Sequence, residues 1–316
     1  MTTTKQFKQL IKSINIPIYI AGHINPDQDS ICSCLALARL LEKLGKNAHI
    51  LLEDYDLDVV SIHNNQHLVV NTIAETDYCF IALDLNETYR LGRFKQYFEL
   101  ASITINIDHH QGNNTQANLV ISNTNTSSTC EMIYNLIVSY GSIYLDKDIA
   151  EYLYTGIMTD TSCFSRRISP KTMAIAQKLI NMGVNYENRI RETFSHRTLY
   201  ELKALASLVE DIKFDKCLHY LVIDKSLEQF AHLTHNQITK TIAEELRKIE
   251  DIDIFLIFIV EKDHITAKSM SNVTKNANLI AQEFGGGGHK GEAGFTVKNM
   301  TVEEILNKVK EYLKQN

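Results

Sequence analysis

The chain has 316 residues, 44% of them hydrophobic and 22% charged, with only 13 glycines and 3 prolines. This composition excludes a fibrous or disordered protein, and the length predicts a globular protein of two domains. The formal net charge of −6 argues against an extended groove for long DNA or RNA duplexes, because such grooves are basic.

No membrane partner is expected from the hydropathy pattern. The longest apolar run, 252–260, is far shorter than the ~20 residues that span a bilayer. Residues 1–14 mix Lys and Gln with apolar residues and lack the apolar core of a signal peptide. We therefore expect a cytoplasmic protein.

The first half of the chain alternates predicted strands and helices. A strand at Pro17–Ala21 precedes a helix that runs from an N-cap at Ser30 to Leu44 and stops at Gly45. Further strands are predicted at Asn47–Leu52, Tyr78–Leu83 and Ser102–Ile107, and a helix at Thr88–Phe98. This alternation predicts an α/β fold in which a parallel sheet carries helices on both faces.

From Thr129 onward the pattern is mainly helical, with predicted helices at 129–140, 146–158 and 170–182. This helical extension completes a predicted first domain, 1–185, and the polar stretch 186–204 is the predicted linker. A smaller α+β domain, 205–316, follows. Its predicted strands lie near 217–223, 253–260 and 264–269, and its predicted helices near 236–249, 276–283 and 302–314.

Acidic and histidine side chains follow three of the predicted strands. They are His23, Asp27 and Asp29 after the first strand, Asp84 after the third, and Asp108, His109 and His110 after the fourth. Ligands of open parallel sheets bind beyond the carboxyl ends of the strands, so these segments converge on one edge. Asp160, at the end of a predicted helix, is a further candidate. Each piece alone is compatible with a helix cap or a turn, but together they predict a site.

The residue types fit a site for two divalent metal ions. Aspartate carboxylates and neutral imidazoles suit Mn²⁺ or a similar ion, whereas thiolates would favour zinc. Two metals need a bridging carboxylate, and together they activate a water and neutralise phosphate oxygens. Mn²⁺ is the favoured ion, with Mg²⁺ and Co²⁺ as alternatives.

Four segments, in this order, resemble the four motifs of the DHH phosphoesterase superfamily. They are His23…Asp27-Gln-Asp29-Ser, Ala82-Leu-Asp84, Asp108-His-His110 and Gly156-Ile-Met-Thr-Asp160-Thr. Near the C-terminus, Gly285-Gly-Gly-Gly-His289…Ala293-Gly-Phe295 resembles the signature of the DHH-associated substrate domain. In length and two-domain plan the chain is most similar to the bifunctional oligoribonuclease/adenosine bisphosphate phosphatase group, the nano-RNases.

The resemblance implies a role for each residue of the predicted site. One metal would be held by His23, Asp27 and Asp84, and the other by Asp29, Asp84, His109 and Asp160, with Asp84 bridging. Asp108 would orient a ligand histidine. His110 would face the substrate phosphate. The predicted catalytic residues are therefore His110 and the bridging ligand Asp84.

The second domain is predicted to hold the substrate across a cleft from the metals. Successive glycines let backbone N–H groups approach a phosphate or base closely. The predicted contacts are Gly286, Gly287, Gly288, His289 and Lys268 in this domain, and Arg166 in the first domain, just after the Asp160 loop. A hinge or tight turn is the alternative interpretation of the glycines. Many relatives in the family that this chain resembles carry an Arg in the strand before the glycine loop. In 266–271 of this chain that Arg is replaced or shifted; Lys268 is a candidate replacement as a point charge, but it lacks the bidentate fork of Arg.

The resemblance implies hydrolysis of short oligoribonucleotides and dinucleotides to mononucleotides, and conversion of 3′-phosphoadenosine 5′-phosphate to AMP. The expected partner is therefore a short RNA or nucleotide, and a homodimer is left open. An inorganic pyrophosphatase of the same superfamily is one alternative, although its second domain lacks the Gly-Gly-Gly-His signature. The other alternative is a nucleotide sensor without catalysis, although such proteins usually lose metal ligands.

Overall fold

The computed structural model describes residues 3–52, 65–195, 199–215, 218–223, 252–271 and 276–315, together with 239, 242, 243, 245, 246 and 249. The chain divides into two compact units, Met1–His196 and Arg197–Asn316. Within these ranges no helix combines the length and the apolar character needed to cross a membrane.

The first unit is built on a six-stranded sheet in which all neighbouring strands are parallel. Its strands are β1 (Ile18–Ala21), β2 (Ala48–Leu51), β3 (Val69–Val70), β4 (Cys79–Leu83), β5 (Ile103–Asp108) and β6 (Leu119–Ser122). Their order across the sheet is β3-β2-β1-β4-β5-β6. The predicted parallel sheet is confirmed, and it gains β3 and β6, which the sequence pattern does not predict.

Both faces of this sheet are covered. The central strands β1 and β4 are buried along their whole length. Alternate residues enter two hydrophobic clusters: Ile18 and Ile81 join the cluster that contains the helix Gln28–Lys43, whereas Tyr19 and Phe80 join the other. A strand buried on both faces reads as a continuous apolar run, as these do.

Helices make up most of the remainder of the first unit. The α-helices are Thr3–Ser13, Gln28–Lys43, Lys95–Leu100, Thr129–Tyr140, Lys147–Asp160, Pro170–Asn181 and Tyr186–Ile190. Short 3₁₀ segments lie at Asn65–Leu68, Thr88–Phe94 and Ser142–Tyr144, and a π-helical turn at Arg191–Ser195. The helix predicted at 88–98 is interrupted, because Gly92 has a φ of 55° inside the 3₁₀ segment.

The predicted N-cap at Ser30 is wrong. The cap is Asp27, whose extended backbone precedes the helix and whose carboxylate accepts a hydrogen bond from the Ser30 backbone N–H. Asp and Ser are both favoured at N-caps, so local preference does not choose between them. Ser30 instead lies buried in the first turn, where its hydroxyl accepts from the backbone N–H of His23.

The second unit contains a mixed six-stranded sheet. Its strands are β7 (Lys213–Asp215), β8 (Leu218–Ile223), β9 (Ile254–Val260), β10 (Ile265–Ser271), β11 (Gly287–His289) and β12 (Glu292–Val297). Only β8 and β9 are paired in parallel among these strands, whose order is β11-β12-β10-β9-β8-β7. The helices Leu199–Glu210, Ala277–Gln282 and Val302–Gln315 belong to this unit. The helix predicted near 236–249 lies largely outside the described residues.

Candidate metal centre

The segments after the carboxyl ends of β1, β4 and β5, together with the end of the helix Lys147–Asp160, bring the predicted metal ligands and His110 together. Their donor atoms form three groups, each with its members within 4.8 Å of one another. The groups are His23, Asp27 and Asp84; Asp84, His109 and His110; and Asp29, His109 and Asp160. These seven residues are the six predicted metal ligands and His110.

Asp84 lies at the centre of the cluster, and its two oxygens face different histidines. Oδ2 is 3.6 Å from His23 Nε2, and Oδ1 is 3.5 Å from His109 Nε2. The residue is 2% exposed. Each oxygen of this buried carboxylate therefore faces a different histidine-containing donor group.

The backbone at Asp84 is held in an uncommon conformation. Its φ is 61°, in the left-handed region that non-glycine residues seldom adopt. The backbone N–H of Asp84 donates to the Ile107 carbonyl, and the amide of Asn106 donates to the carbonyls of Ala82 and Leu85 on either side. Neighbouring strand β5 therefore fixes the turn that directs Asp84 into the site.

Asp29 is positioned by the first turn of a helix that is remote in sequence. The backbone N–H groups of Thr129 and Cys130 donate to its Oδ2 and Oδ1 at 2.7 and 2.9 Å. Gly156 permits this approach, because a Cβ there would lie 2.2 Å from the Cys130 sulfur and 2.9 Å from Asp29 Oδ1. Thr129 and Cys130 are not among the site residues predicted from the sequence, because contacts across about a hundred residues leave no local signal.

The two candidate ligand histidines are suited to bind metal in the neutral form. His23 Nδ1 lies 2.8 Å from the Ile24 carbonyl oxygen, which favours the tautomer that leaves Nε2 to face Asp27 and Asp84. Burial lowers the pKa of His23 and of His109, despite neighbouring carboxylates that act in the opposite direction. Neutral imidazole is the form that coordinates a metal.

His110 differs from these two histidines because it is paired with Asp108. His110 Nδ1 is 2.6 Å from Asp108 Oδ1. Burial alone would lower the pKa of His110, but the hydrogen bond to Asp108 and the charges of Asp84 and Asp108 outweigh burial and raise it. Asp108 was expected to orient a ligand histidine; the histidine that it holds at this distance is His110, the residue expected to face the substrate.

Asp160 ends the helix Lys147–Asp160 and is engaged on one side by an arginine. Arg167 Nη2 contacts both Asp160 Oδ1 and the Asp160 carbonyl. The other oxygen, Oδ2, lies 3.5 Å from His109 Nε2. Arg166, the arginine predicted to contact phosphate, directly precedes Arg167 in the chain and is partly buried. Its predicted role stays a prediction.

The donor set fits a pair of hard or borderline divalent cations. It consists of carboxylate oxygens and imidazole nitrogens, without a thiolate. Asp160 Oδ2 is buried and accepts no hydrogen bond from the described part of the chain. Burial, followed by the charges of neighbouring aspartates, raises the pKa of both Asp29 and Asp84. Bound cations would remove the repulsion that these carboxylates otherwise impose on one another.

The glycine run of the second unit is an ordered edge strand. Gly287–His289 pairs antiparallel with β12, and the Phe284 ring stacks on Phe295 with centroids 4.4 Å apart. A Cβ at Gly286 would lie 2.2 Å from the Gly294 carbonyl oxygen, and one at Gly288 2.6 Å from the Ala293 Cα. Close packing on β12 therefore requires these two glycines, and the interpretation as a hinge is not supported.

Gly287 has no comparable requirement among the described residues. Within them, the nearest atom to a Cβ placed there is Asn278 Oδ1, at 3.9 Å. In the antiparallel register Gly287 is opposite Gly294, and Gly294 is opposite Lys268. Directly opposed residues share a face of the sheet, so the two glycines leave a surface without side chains beside Lys268. Lys268 Nζ itself lies 2.5 Å from Glu292 Oε1.

Comparison with known families and structures agrees with this architecture. Residues 17–157 match the DHH family N-terminal domain, and residues 218–315 match the DHHA1 domain. The chain therefore belongs to the DHH family, with the DHH-associated domain at its C-terminus.

Among individual proteins, the chain is similar to the bifunctional oligoribonuclease and PAP phosphatase NrnA of Thermus thermophilus, at 26% identity over 97% of this chain and 92% of that protein. An exopolyphosphatase-related protein from Bacteroides fragilis shares the fold, with a TM-score of 0.86 and 20% identity over 99% and 96% of the two chains. RecJ from Thermus thermophilus, solved in complex with Mn²⁺, matches with a TM-score of 0.59 and 13% identity over 99% and 54%.

Proposed function

We propose that this chain is a two-metal phosphoesterase that hydrolyses short oligoribonucleotides and dinucleotides to mononucleotides and converts 3′-phosphoadenosine 5′-phosphate to AMP. The observation that carries the proposal is the placement of Asp84, whose two oxygens face His23 and His109 at 3.6 and 3.5 Å. The similar Thermus protein, named an oligoribonuclease and PAP phosphatase, supports the choice of substrates.

In this proposal Asp84 would be shared between two ions. One ion would be held by His23, Asp27 and Asp84, and the other by Asp29, Asp84, His109 and Asp160. Mn²⁺ is the favoured ion, since the donors are carboxylates and imidazoles and the RecJ structure of the same fold was solved with Mn²⁺. When bound, the ions supply an activated water and neutralise the charge of the phosphate.

His110 supplies a positive charge to the phosphate in this scheme. Its raised pKa favours the imidazolium, and the bond to Asp108 fixes the ring while leaving Nε2 as a donor. A charged donor aimed at the phosphate oxygens stabilises the transition state more than the ground state if negative charge grows there. Asp108 acts through His110 and is a positioning residue.

We assign the second unit to substrate binding. Gly287 and Gly294 have no side chains, so a base or ribose would approach the backbone closely there, and Lys268, which is paired with Glu292, is opposite Gly294. Gly286, Gly288 and His289 of the second unit and Arg166 of the first unit are the other proposed contacts. The proposed division of the chain is a catalytic domain at 1–185, a linker at 186–204 and a substrate domain at 205–316.

Product analysis tests the proposal directly. The purified protein is incubated with Mn²⁺ and, in parallel, with labelled RNA of two to five nucleotides, 3′-phosphoadenosine 5′-phosphate, and pyrophosphate. Release of mononucleotides and AMP that a chelator blocks is the expected result. Turnover of pyrophosphate alone would make the chain a pyrophosphatase, and binding of nucleotides without turnover of any substrate would make it a sensor.

A further inference from the structure

The N-terminal turn of the helix Thr129–Tyr140 enters the cluster of carboxylates, and one residue of it contacts two of them. The backbone N–H of Thr129 donates to Asp29 Oδ2 at 2.7 Å, and its hydroxyl donates to Asp84 Oδ1 at 2.9 Å. Thr129 is fully buried. Asp29 and Asp84 come from different segments of the chain, so this threonine joins them through a third.

The hydroxyl contact determines how the Asp84 carboxylate is turned. A threonine hydroxyl has a single proton, and here that proton is directed to Oδ1, the oxygen on the side of His109. Oδ2 remains on the side of His23. Without this donor the Asp84 carboxylate could rotate about its Cβ–Cγ bond. It would then lose the arrangement in which Oδ1 faces His109 and Oδ2 faces His23.

A buried network holds Thr129 in place. The helix is capped by Ser128, whose hydroxyl accepts from the Glu131 backbone N–H. The carboxylate of Glu131 in turn accepts hydrogen bonds from the backbone and hydroxyl of Ser127 and from the hydroxyl of Thr172. The buried residues of this network are Ser127, Ser128, Thr129, Glu131 and Thr172. The bonds that fix the start of the helix are therefore made among these residues and do not involve the candidate metal ligands.

We propose that Thr129 is a positioning residue of the metal centre, whose hydroxyl orients the shared carboxylate Asp84 while its backbone N–H orients Asp29. The inference rests on the proposed metal-dependent function, because it assigns Thr129 to the preparation of that site. Hydrogen bonds behind metal ligands typically change metal affinity by about 10–100-fold when they are removed. Loss of the Thr129 hydroxyl is therefore expected to weaken metal binding by a factor of this size.

Mn²⁺ titration of the full-length chain by calorimetry tests the proposal, together with thermal unfolding of each variant. Thr129→Val removes the hydroxyl and keeps the backbone N–H, whereas Thr129→Ser keeps both. The matched control is Thr104→Val, which removes another buried threonine hydroxyl; this hydroxyl donates to Asn118 Oδ1 at 3.0 Å, outside the three donor groups and outside the network that holds Thr129. If Thr129→Val does not fold, Thr129→Ala removes the same hydroxyl without a bulkier group.

The expected pattern is a Mn²⁺ affinity about 10–100-fold weaker in Thr129→Val, near wild type in Thr129→Ser, and unchanged in Thr104→Val. Wild-type affinity in a folded Thr129→Val or Thr129→Ala variant would overturn the inference, as would an equal loss in Thr104→Val. Wild-type protein that neither binds Mn²⁺ nor hydrolyses nucleotides would instead contradict the proposed function, so the two failures are distinguishable.

Discussion

Gly287→Ala and Gly286→Ala form a matched pair of variants. Gly287 is proposed to leave space for the substrate, whereas Gly286 is needed for close packing on β12. A Cβ at Gly286 would lie 2.2 Å from the Gly294 carbonyl oxygen and 2.5 Å from the Phe295 Cβ, so β11 must move away from β12. Overpacking of this kind costs about 1–3 kcal/mol. In the part of the chain that the structure describes, a Cβ at Gly287 meets only Asn278 Oδ1, at 3.9 Å. Gly287→Ala therefore should leave stability unchanged or raise it by about 0.4–1 kcal/mol.

Denaturant unfolding and steady-state kinetics with a dinucleotide substrate measure both effects. The expected result is that Gly286→Ala is less stable than Gly287→Ala by about 1–4 kcal/mol. Gly287→Ala should nevertheless raise KM about tenfold or more, because its new methyl group displaces the substrate from the glycine surface. A Gly287→Ala variant that is stable and has the KM of wild type would refute the assignment of this surface to the substrate.

Three further changes test the metal centre. Gly156→Ala places a Cβ 2.2 Å from the Cys130 sulfur. The free energy of unfolding, measured with denaturant, should therefore fall by about 1–3 kcal/mol, and calorimetry should show weaker Mn²⁺ binding. Wild-type values of both would mean that Gly156 is not required for this packing. His110→Gln should lower kcat about 10²–10³-fold at unchanged Mn²⁺ stoichiometry, and an unchanged kcat would exclude His110 from catalysis. In the proposed mechanism the imidazolium of His110 is the active form, and it predominates below the raised pKa of His110, so kcat should fall as pH rises through that pKa. Asp108→Asn should shift this fall to lower pH, and a pH profile of kcat identical to wild type would argue against the pairing.

The parallel sheet and the positions of its central strands can be predicted because their signals are local. The runs that form β1 and β4 are apolar and short, as strands buried on both faces are, whereas β5 alternates isoleucine with polar residues. The edge strands are harder to predict. β3 has two residues, and β6 is only partly buried, so neither carries a strong hydrophobic pattern.

The glycine run shows tertiary pairing overriding local preference. Glycine is unfavourable in strands, yet Gly287–His289 forms one because Gly286 and Gly288 allow the backbone to pack closely on β12. The candidate ligands could be listed from the sequence because each follows a strand or ends a helix. Thr129 could not be, since its contacts with Asp29 and Asp84 join residues 100 and 45 positions apart.

In the proposed site the Asp84 carboxylate is shared by two metal ions. Calorimetric titration of the metal-free chain with Mn²⁺, for wild type and Asp84→Ala, measures whether it is. We expect two ions per wild-type chain. We also expect a folded Asp84→Ala variant in which both sites are weakened, since one carboxylate serves both. A wild-type chain that binds one ion or none, or an Asp84→Ala variant that still binds two ions with wild-type affinity, would show that Asp84 is not shared.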